Sequence, residues 1–131
     1  MMQINEKNYV DKAEAAITRL SKMVNRQGKV IPMVTTSKIR NLLAMAADIY
    51  NQALDCKEDV LPDELISRID YLRVRFVYES GREVKVKDLV EAAEILGILK
   101  QINGSKKNYI LFYHYMEALV AFKRFYNKND D

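Results

Sequence analysis

The sequence predicts an all-α protein, a compact bundle of about five helices. Its length of 131 residues matches the commonest size of one domain. We therefore expect a single helical domain over 1–131, with 127–131 as a frayed polar tail. Four glycines and two prolines leave little material for tight turns. Apolar residues recur at three- and four-residue steps along most of the chain, which is the spacing of amphipathic helices.

The first helix is predicted over about 8–25. Its apolar stripe consists of Tyr9, Val10, Ala13, Ala16, Ile17, Leu20 and Val24. The segment 27–34 contains a glycine and a proline, breaks the period and is predicted to be a loop. A second helix follows over about 37–55. Its first free N–H groups have nearby hydroxyl acceptors on Thr35, Thr36 and Ser37.

The third helix is predicted over about 62–80 and has two apolar stripes. Its first turn combines a proline with two acidic residues, a pattern typical of a helix start. The larger stripe contains Leu65, Ile66, Ile69, Leu72, Phe76 and Val77. The smaller stripe contains Tyr71, Val74 and Tyr78. A helix that is apolar on two sides usually lies between neighbours, so we expect both stripes to be covered.

Two further helices complete the bundle. Gly81 is placed as the C-cap of the third helix, and the helical period then continues over about 84–102 until Asn103 and Gly104 stop it. The last helix is predicted over 105–126. Its aromatic residues follow helical spacing, which favours a core position over a contact with another copy: Tyr109, Phe112, Tyr115, Phe122 and Tyr126.

Cysteine usage and hydropathy indicate the cellular compartment in which the protein works. Cys56 is the sole cysteine, so the chain cannot form an internal disulfide. No N-terminal stretch has the pattern of a secretory leader. Charges or amides interrupt every apolar run, so we expect no membrane span. These features predict a cytoplasmic protein.

Catalytic groups are scarce. His114 is the only histidine and lies 58 positions from the only cysteine, so we expect no catalytic residue and no enzyme activity. One residue of each type cannot make a Cys/His metal framework, and the glycines are too scattered to cradle a phosphate. We therefore predict no metal site and no cofactor. Helix-start or loop roles explain the acidic pairs better than magnesium binding: Glu58/Asp59 and Asp63/Glu64.

Basic residues concentrate at the junction of the third and fourth helices and at the start of the second helix. The formal net charge is only +3, so any nucleic-acid site has to be a local patch. Phosphate attraction acts over about one Debye length, roughly 8 Å at physiological salt. The candidate phosphate-binding residues are Lys38, Arg40, Arg73, Arg75, Arg82, Lys85 and Lys87.

These cations also have ordinary explanations. Arg75 precedes Glu79 by one helical turn, which predicts an exposed ion pair. Arg73 falls at the margin of the larger apolar stripe, where a guanidinium has to reach water, a ligand phosphate or an internal carboxylate. The residues alone do not separate these choices. Lys38 and Arg40 are explained by solubilising charge, although a helix start also favours a phosphate.

Three separated segments resemble one known family. They are TTSKIRNLLAMAADIYN at 35–51, YLRVRFVYESGR at 71–82 and YHYMEALVAFKRFY at 113–126. In this order and spacing they resemble the small subunit of the type III-A CRISPR effector (Csm) complex, over about 30–127. The resemblance implies a bundle of about five helices, which agrees with the count from periodicity.

The resemblance also implies a function in antiviral defence. It implies several copies along the inner ridge of the complex, contacting crRNA and target RNA beside the backbone repeat subunits and the large polymerase-type subunit. Repeated copies need a head-to-tail contact with each other. The resemblance then implies an RNA-binding role for Lys38, Arg40, Arg73, Arg75 and Arg82. Lys85 and Lys87 are added because they lie close to these residues in the sequence. The alternative is a helical scaffold that assembles subunits without touching RNA.

Overall fold

A computed structural model describes residues 2–126, which contain six α-helices. They are α1 (Tyr9–Ser21), α2 (Thr36–Leu54), α3 (Asp63–Arg82), α4 (Val84–Ala92), α5 (Ile95–Gln101) and α6 (Lys106–Tyr126). The all-α class is confirmed, and residues 2–126 contain isolated β-bridges but no β-strand. No helix in this range is both long and apolar enough to cross a bilayer. The predicted tail, 127–131, lies outside the described residues.

Helix α6 forms the centre of the packing. It lies against α1 and α2 and also contacts α5. Its aromatic stripe is buried at Tyr109, Phe112 and Tyr115, which confirms the predicted core position for these three residues. Phe122 is half-buried and Tyr126 is exposed, so the core ends before the last turn of the helix.

Two buried tyrosines of α6 also satisfy backbone carbonyls. The hydroxyl of Tyr109 donates to the carbonyl of Ala46 at 2.7 Å, and that of Tyr115 donates to the carbonyl of Ala93 at 2.9 Å. A buried tyrosine hydroxyl needs such a partner, since its desolvation is otherwise uncompensated. These hydrogen bonds fix α6 against α2 and against the C-terminal end of α4.

The single helix predicted over about 84–102 is wrong, because the chain breaks there into α4 and α5. Glu94 adopts a left-handed conformation with φ of 55°, which interrupts the helical ladder. The carbonyl of Ala93, at the break, accepts the hydrogen bond from Tyr115. Alanine and glutamate are good helix formers, so local propensity gives no sign of this break.

The first helix is also shorter than predicted. It ends at Ser21, and the chain then turns back on itself through a bridge between Val24 and Val30. The amide of Ile31 donates to the carbonyl of Met23 at 2.8 Å. The predicted hydroxyl cap at the start of α2 is confirmed, since the hydroxyl of Thr35 accepts from the amide of Lys38 at 3.1 Å.

Helix α3 buries most of its larger apolar stripe, although Val77 of that stripe is 53% exposed. Leu65, Ile69, Leu72 and Phe76 are buried, and the helix packs against α2, α4 and α5. The smaller stripe is exposed, so the prediction that neighbours cover both sides is wrong within this chain. The exposed fractions are 63% for Tyr71, 57% for Val74 and 57% for Tyr78.

Candidate nucleic-acid interface

A buried carboxylate, Glu79, lies at the centre of a polar site near the end of α3. Its side chain is only 7% exposed. One carboxylate oxygen lies 2.8 Å from Nζ of Lys38 and 3.7 Å from Nη1 of Arg82, and the other lies 3.6 Å from Nη2 of Arg75. We call Glu79 and these three cations the Glu79 cluster. It joins the start of α2 to the end of α3.

Local sequence and tertiary packing each supply part of the Glu79 cluster. Arg75 and Arg82 lie four residues before and three residues after Glu79, so helix geometry brings them to the same side of α3. The ion pair between Arg75 and Glu79 is confirmed, but the prediction that it is exposed is wrong for Glu79, whose side chain is buried. Lys38 comes from another helix, 41 positions earlier, and reaches Glu79 because α2 packs against α3.

The Glu79 cluster keeps an excess of positive charge. Three cations share one carboxylate, so their formal charges sum to +2. The side chains of Arg75 and Arg82 are 44% and 63% exposed, whereas the carboxylate is covered. The geometry therefore places the two guanidinium groups beside the covered carboxylate and leaves part of each open to an anion from solvent.

The same contacts keep Glu79 ionised. The hydrogen bond from Lys38 is the largest cause that lowers the pKa of Glu79, and the positive charges of Lys38, Arg82 and Arg75 lower it further. Burial acts in the opposite direction but does not outweigh them. The carboxylate is consequently a permanent negative centre at neutral pH.

We expect Glu79→Gln to destabilise the protein at neutral pH and to lose this effect in acid. Because the folded pKa lies below the ordinary value of 4.5, the stabilisation is complete above that value and disappears as pH falls through the lowered pKa. Urea denaturation at about pH 7 and about pH 3 tests this. Glu117→Gln, an exposed carboxylate on α6, is the control. A pH-independent difference for Glu79→Gln would contradict the expectation.

The structure does not gather the other predicted cations into the Glu79 cluster. Arg73 lies two residues before Arg75, about 160° away around α3, at the opposite margin of the buried stripe. It is half-buried, and no carboxylate of residues 2–126 forms an ion pair with it. The internal-carboxylate alternative for Arg73 is therefore wrong within that range. That the guanidinium of Arg73 reaches water or a ligand phosphate remains a prediction.

Three further cations lie apart from each other. Arg40 is exposed on α2, about 160° around the helix from Lys38. Lys85 is half-buried and Lys87 is exposed, and the same two-residue spacing directs them to different sides of α4. An RNA role for these residues stays a prediction based on the resemblance.

An arginine of the Glu79 cluster contacts an aromatic ring that the sequence reading had not included in the site. The guanidinium carbon of Arg75 lies 5.9 Å from the ring centroid of Tyr78. Exposed cation–π pairs of this kind are worth about 0.5–1 kcal/mol. The spacing of Tyr71, Arg75, Tyr78 and Arg82 is visible in the sequence, but the pattern around the tyrosines indicates an apolar stripe and gives no sign of a polar site.

The groups capable of acid–base chemistry have structural partners. Nε2 of His114 lies 3.5 Å from the hydroxyl oxygen of Tyr50. Asp59 accepts at 2.9 Å from both the amide of Lys107 and the hydroxyl of Ser105, and these hydrogen bonds lower its pKa. Asp59 thus lies in the loop before α3 and accepts from the first turn of α6, a contact that the sequence did not predict. In the described range, no three His, Cys, Asp or Glu side chains converge as a metal site requires.

Fold and site together define a small all-helical protein with an interhelical cluster of cations around one carboxylate. A family model described as Csm2 Type III-A matches residues 14–129. The chain therefore belongs to the Csm2 family of type III-A CRISPR systems, which confirms the resemblance to the small subunit of the Csm complex.

Individual relatives agree with the family model. The protein named CRISPR system Cms protein Csm2 from Streptococcus thermophilus is 45% identical over 130 residues, covering 99% of this chain and 100% of that protein. The protein of the same name from Mycobacterium tuberculosis is 37% identical over 129 residues, covering 98% and 99%. The one from Enterococcus italicus is 33% identical over 99 residues, covering 74% and 71%.

Proposed function

We propose that this chain is the non-catalytic small subunit of a type III-A CRISPR interference complex and binds crRNA and target RNA through their backbone. The complex would act in the cytoplasm, where copies of the chain lie beside the backbone repeat subunits and the large polymerase-type subunit. Family membership supports the place in the complex. The observation that carries the RNA-binding proposal is the convergence of Lys38, Arg75 and Arg82 on Glu79.

Backbone recognition follows from what a guide complex has to bind. Guide sequences vary, so useful contacts go to phosphate and sugar, which are the same at every position. Arginine presents planar donors suited to phosphate oxygens. Neither recognition of shape nor recognition of charge requires a side chain that distinguishes bases.

The buried carboxylate gives the Glu79 cluster a defined shape. Long basic side chains lose rotamer entropy when they bind an anion. The hydrogen bond to Glu79 restricts Lys38 before RNA arrives, which reduces this loss for Lys38, while Arg75 and Arg82 are held near the carboxylate only by longer ion pairs. The remaining charge of +2 still favours the approach of phosphate.

We expect Glu79→Gln to strengthen binding to an RNA duplex, because it removes the anion that competes with phosphate for three cations, and this gain outweighs the restriction of their side chains that is lost with the carboxylate. The apparent affinity should rise, and the dependence of log K on log salt should steepen by up to about 0.9 for each further phosphate neutralised. Fluorescence anisotropy with a labelled duplex at low salt measures both quantities. Low salt is needed because a single copy contacts few phosphates.

Glu117→Gln makes the same change in net charge outside the Glu79 cluster. An equal effect of the two variants would assign binding to overall charge and contradict a local site. No RNA binding by the wild type or by either variant, in the free chain and in the assembled complex, would favour the scaffold alternative.

A further inference from the structure

One exposed stripe of α3 alternates aromatic rings with arginines. Tyr71, Arg75, Tyr78 and Arg82 are separated by four, three and four residues. At about 100° per residue, these steps keep all four side chains within a sector of about 60°. The two tyrosines are 63% and 57% exposed, and the two arginine side chains are 44% and 63% exposed. We call these four residues the Tyr–Arg stripe.

Burial in the core does not explain the two tyrosines. The side of α3 that packs against the chain is formed by other residues, and Tyr71 and Tyr78 face away from it. An exposed tyrosine ring offers a flat face on which any base can stack. The rings lie about 10 Å apart along the helix axis, so they would meet two different nucleotides.

The charges beside the rings indicate what binds there. Arg75 and Arg82 belong to the Glu79 cluster, whose net charge is positive, so the surface next to both rings attracts polyanions. Arg75 also lies over the ring of Tyr78 and restricts its orientation. Aromatic faces interleaved with cations are the arrangement that single-stranded nucleic acid uses, with bases on the rings and phosphates on the cations.

We propose that the Tyr–Arg stripe binds unpaired RNA nucleotides, with bases stacked on Tyr71 and Tyr78 and phosphates at Arg75 and Arg82. This inference rests on the proposed RNA-binding function and adds a ligand class to it. In a duplex the bases are stacked within the helix and shielded from the tyrosines. The Tyr–Arg stripe therefore distinguishes unpaired from paired RNA, whereas the Glu79 cluster alone binds both.

The test uses the absence of tryptophan from the chain. Tyr71→Trp introduces a unique tryptophan fluorophore at the Tyr–Arg stripe. As a control, Phe125→Trp places one at an exposed position near the end of α6. We expect single-stranded RNA to quench the fluorescence of Tyr71→Trp, because a base stacks on the indole. We expect little quenching by the matched RNA duplex or by polyphosphate. Equal quenching of the two variants by single-stranded RNA would overturn the proposal.

Affinity provides the second measurement. The double variant Tyr71→Leu/Tyr78→Leu keeps the stripe apolar but removes the rings, and should weaken single-strand binding at least about 5-fold while leaving duplex affinity and its salt dependence unchanged. Tyr71→Phe/Tyr78→Phe keeps the rings and should bind single strands nearly as well as wild type. A leucine variant with wild-type affinity for single strands would overturn the proposal.

The outcomes also separate this inference from the proposed function. If removing the cations of the Glu79 cluster weakens RNA binding but removing the rings does not, the stacking inference fails and the RNA-binding function stands. If neither change affects RNA binding, both fail. If removing the rings impairs only the incorporation of this chain into the complex, the exposed face is a protein interface and stacking is wrong.

Discussion

Removing the cations of the Glu79 cluster is expected to reduce RNA-duplex affinity by as much as about 100-fold at low salt. The variant combines Lys38→Gln, Arg75→Gln and Arg82→Gln with Glu79→Gln, so that no covered carboxylate loses its partners. Each neutralised phosphate contributes about 0.9 to the slope of log K against log salt, so three contacts contribute about 2.7. Measuring affinity over a range of salt concentrations gives both the loss and the change in slope.

A matched variant removes three other predicted cations: Arg73, Lys85 and Lys87, each changed to glutamine. It lowers the net charge by three, compared with two for the cluster variant, yet none of its residues contacts Glu79. We expect the smaller loss of affinity and the smaller change in slope from this control. A loss equal to or larger than that of the cluster variant would show that binding follows general charge or lies on another surface.

Phe112→Ala is expected to cost about 3–5 kcal/mol of stability. Phe112 is fully buried on α6, with its ring centroid 6.5 Å from that of Phe76 on α3 and 5.7 Å from that of Tyr109. Truncation would leave a cavity where α6 and α3 meet. Since domains of this size are stable by about 5–15 kcal/mol, the loss is a large fraction of the total.

Urea denaturation followed by circular dichroism measures this loss. Phe125→Ala is the matched control, because Phe125 lies on the same helix but is 72% exposed, and should change stability by less than about 0.5 kcal/mol. A loss below about 1 kcal/mol for Phe112→Ala would contradict the described packing of the core.

Hydrophobic periodicity predicted the helical class and most of the buried positions, because a repeat of three and four residues is a local property. It did not predict the break at Glu94. The apolar pattern continues across the break, with Val90, Ala93, Ile95 and Ile98 all buried. A hydrogen bond from Tyr115 of α6, 22 residues away in the sequence, is made at the break, and a tertiary contact of this kind is not visible in a local pattern.

The candidate site also contains one part that the sequence predicts and one part that depends on tertiary packing. The pair of Arg75 with Glu79 follows from helical spacing and was predicted, whereas the contact of Lys38 with Glu79 depends on how α2 meets α3. Proximity in the sequence suggested that Arg73 and Arg75 belong together. Helix geometry places them on opposite margins of the buried stripe, since two residues correspond to about 200° of rotation.

The exposed face of α3 shows what the apolar pattern of a sequence cannot predict. Tyr71, Val74 and Tyr78 have the apolar character of core residues, so the sequence predicted that neighbours cover them. A periodic pattern identifies a face of a helix, but it does not state whether the partner is in the same chain or in another molecule.

Crosslinking within an assembled complex tests the central claim most directly. The complex would be irradiated with bound crRNA and target RNA, and the adducts mapped to peptides by mass spectrometry. The account predicts RNA adducts on the peptides that carry Lys38 and on those from 71–82. Adducts confined to other helices of this chain, or none in this chain while neighbouring subunits crosslink, would contradict it.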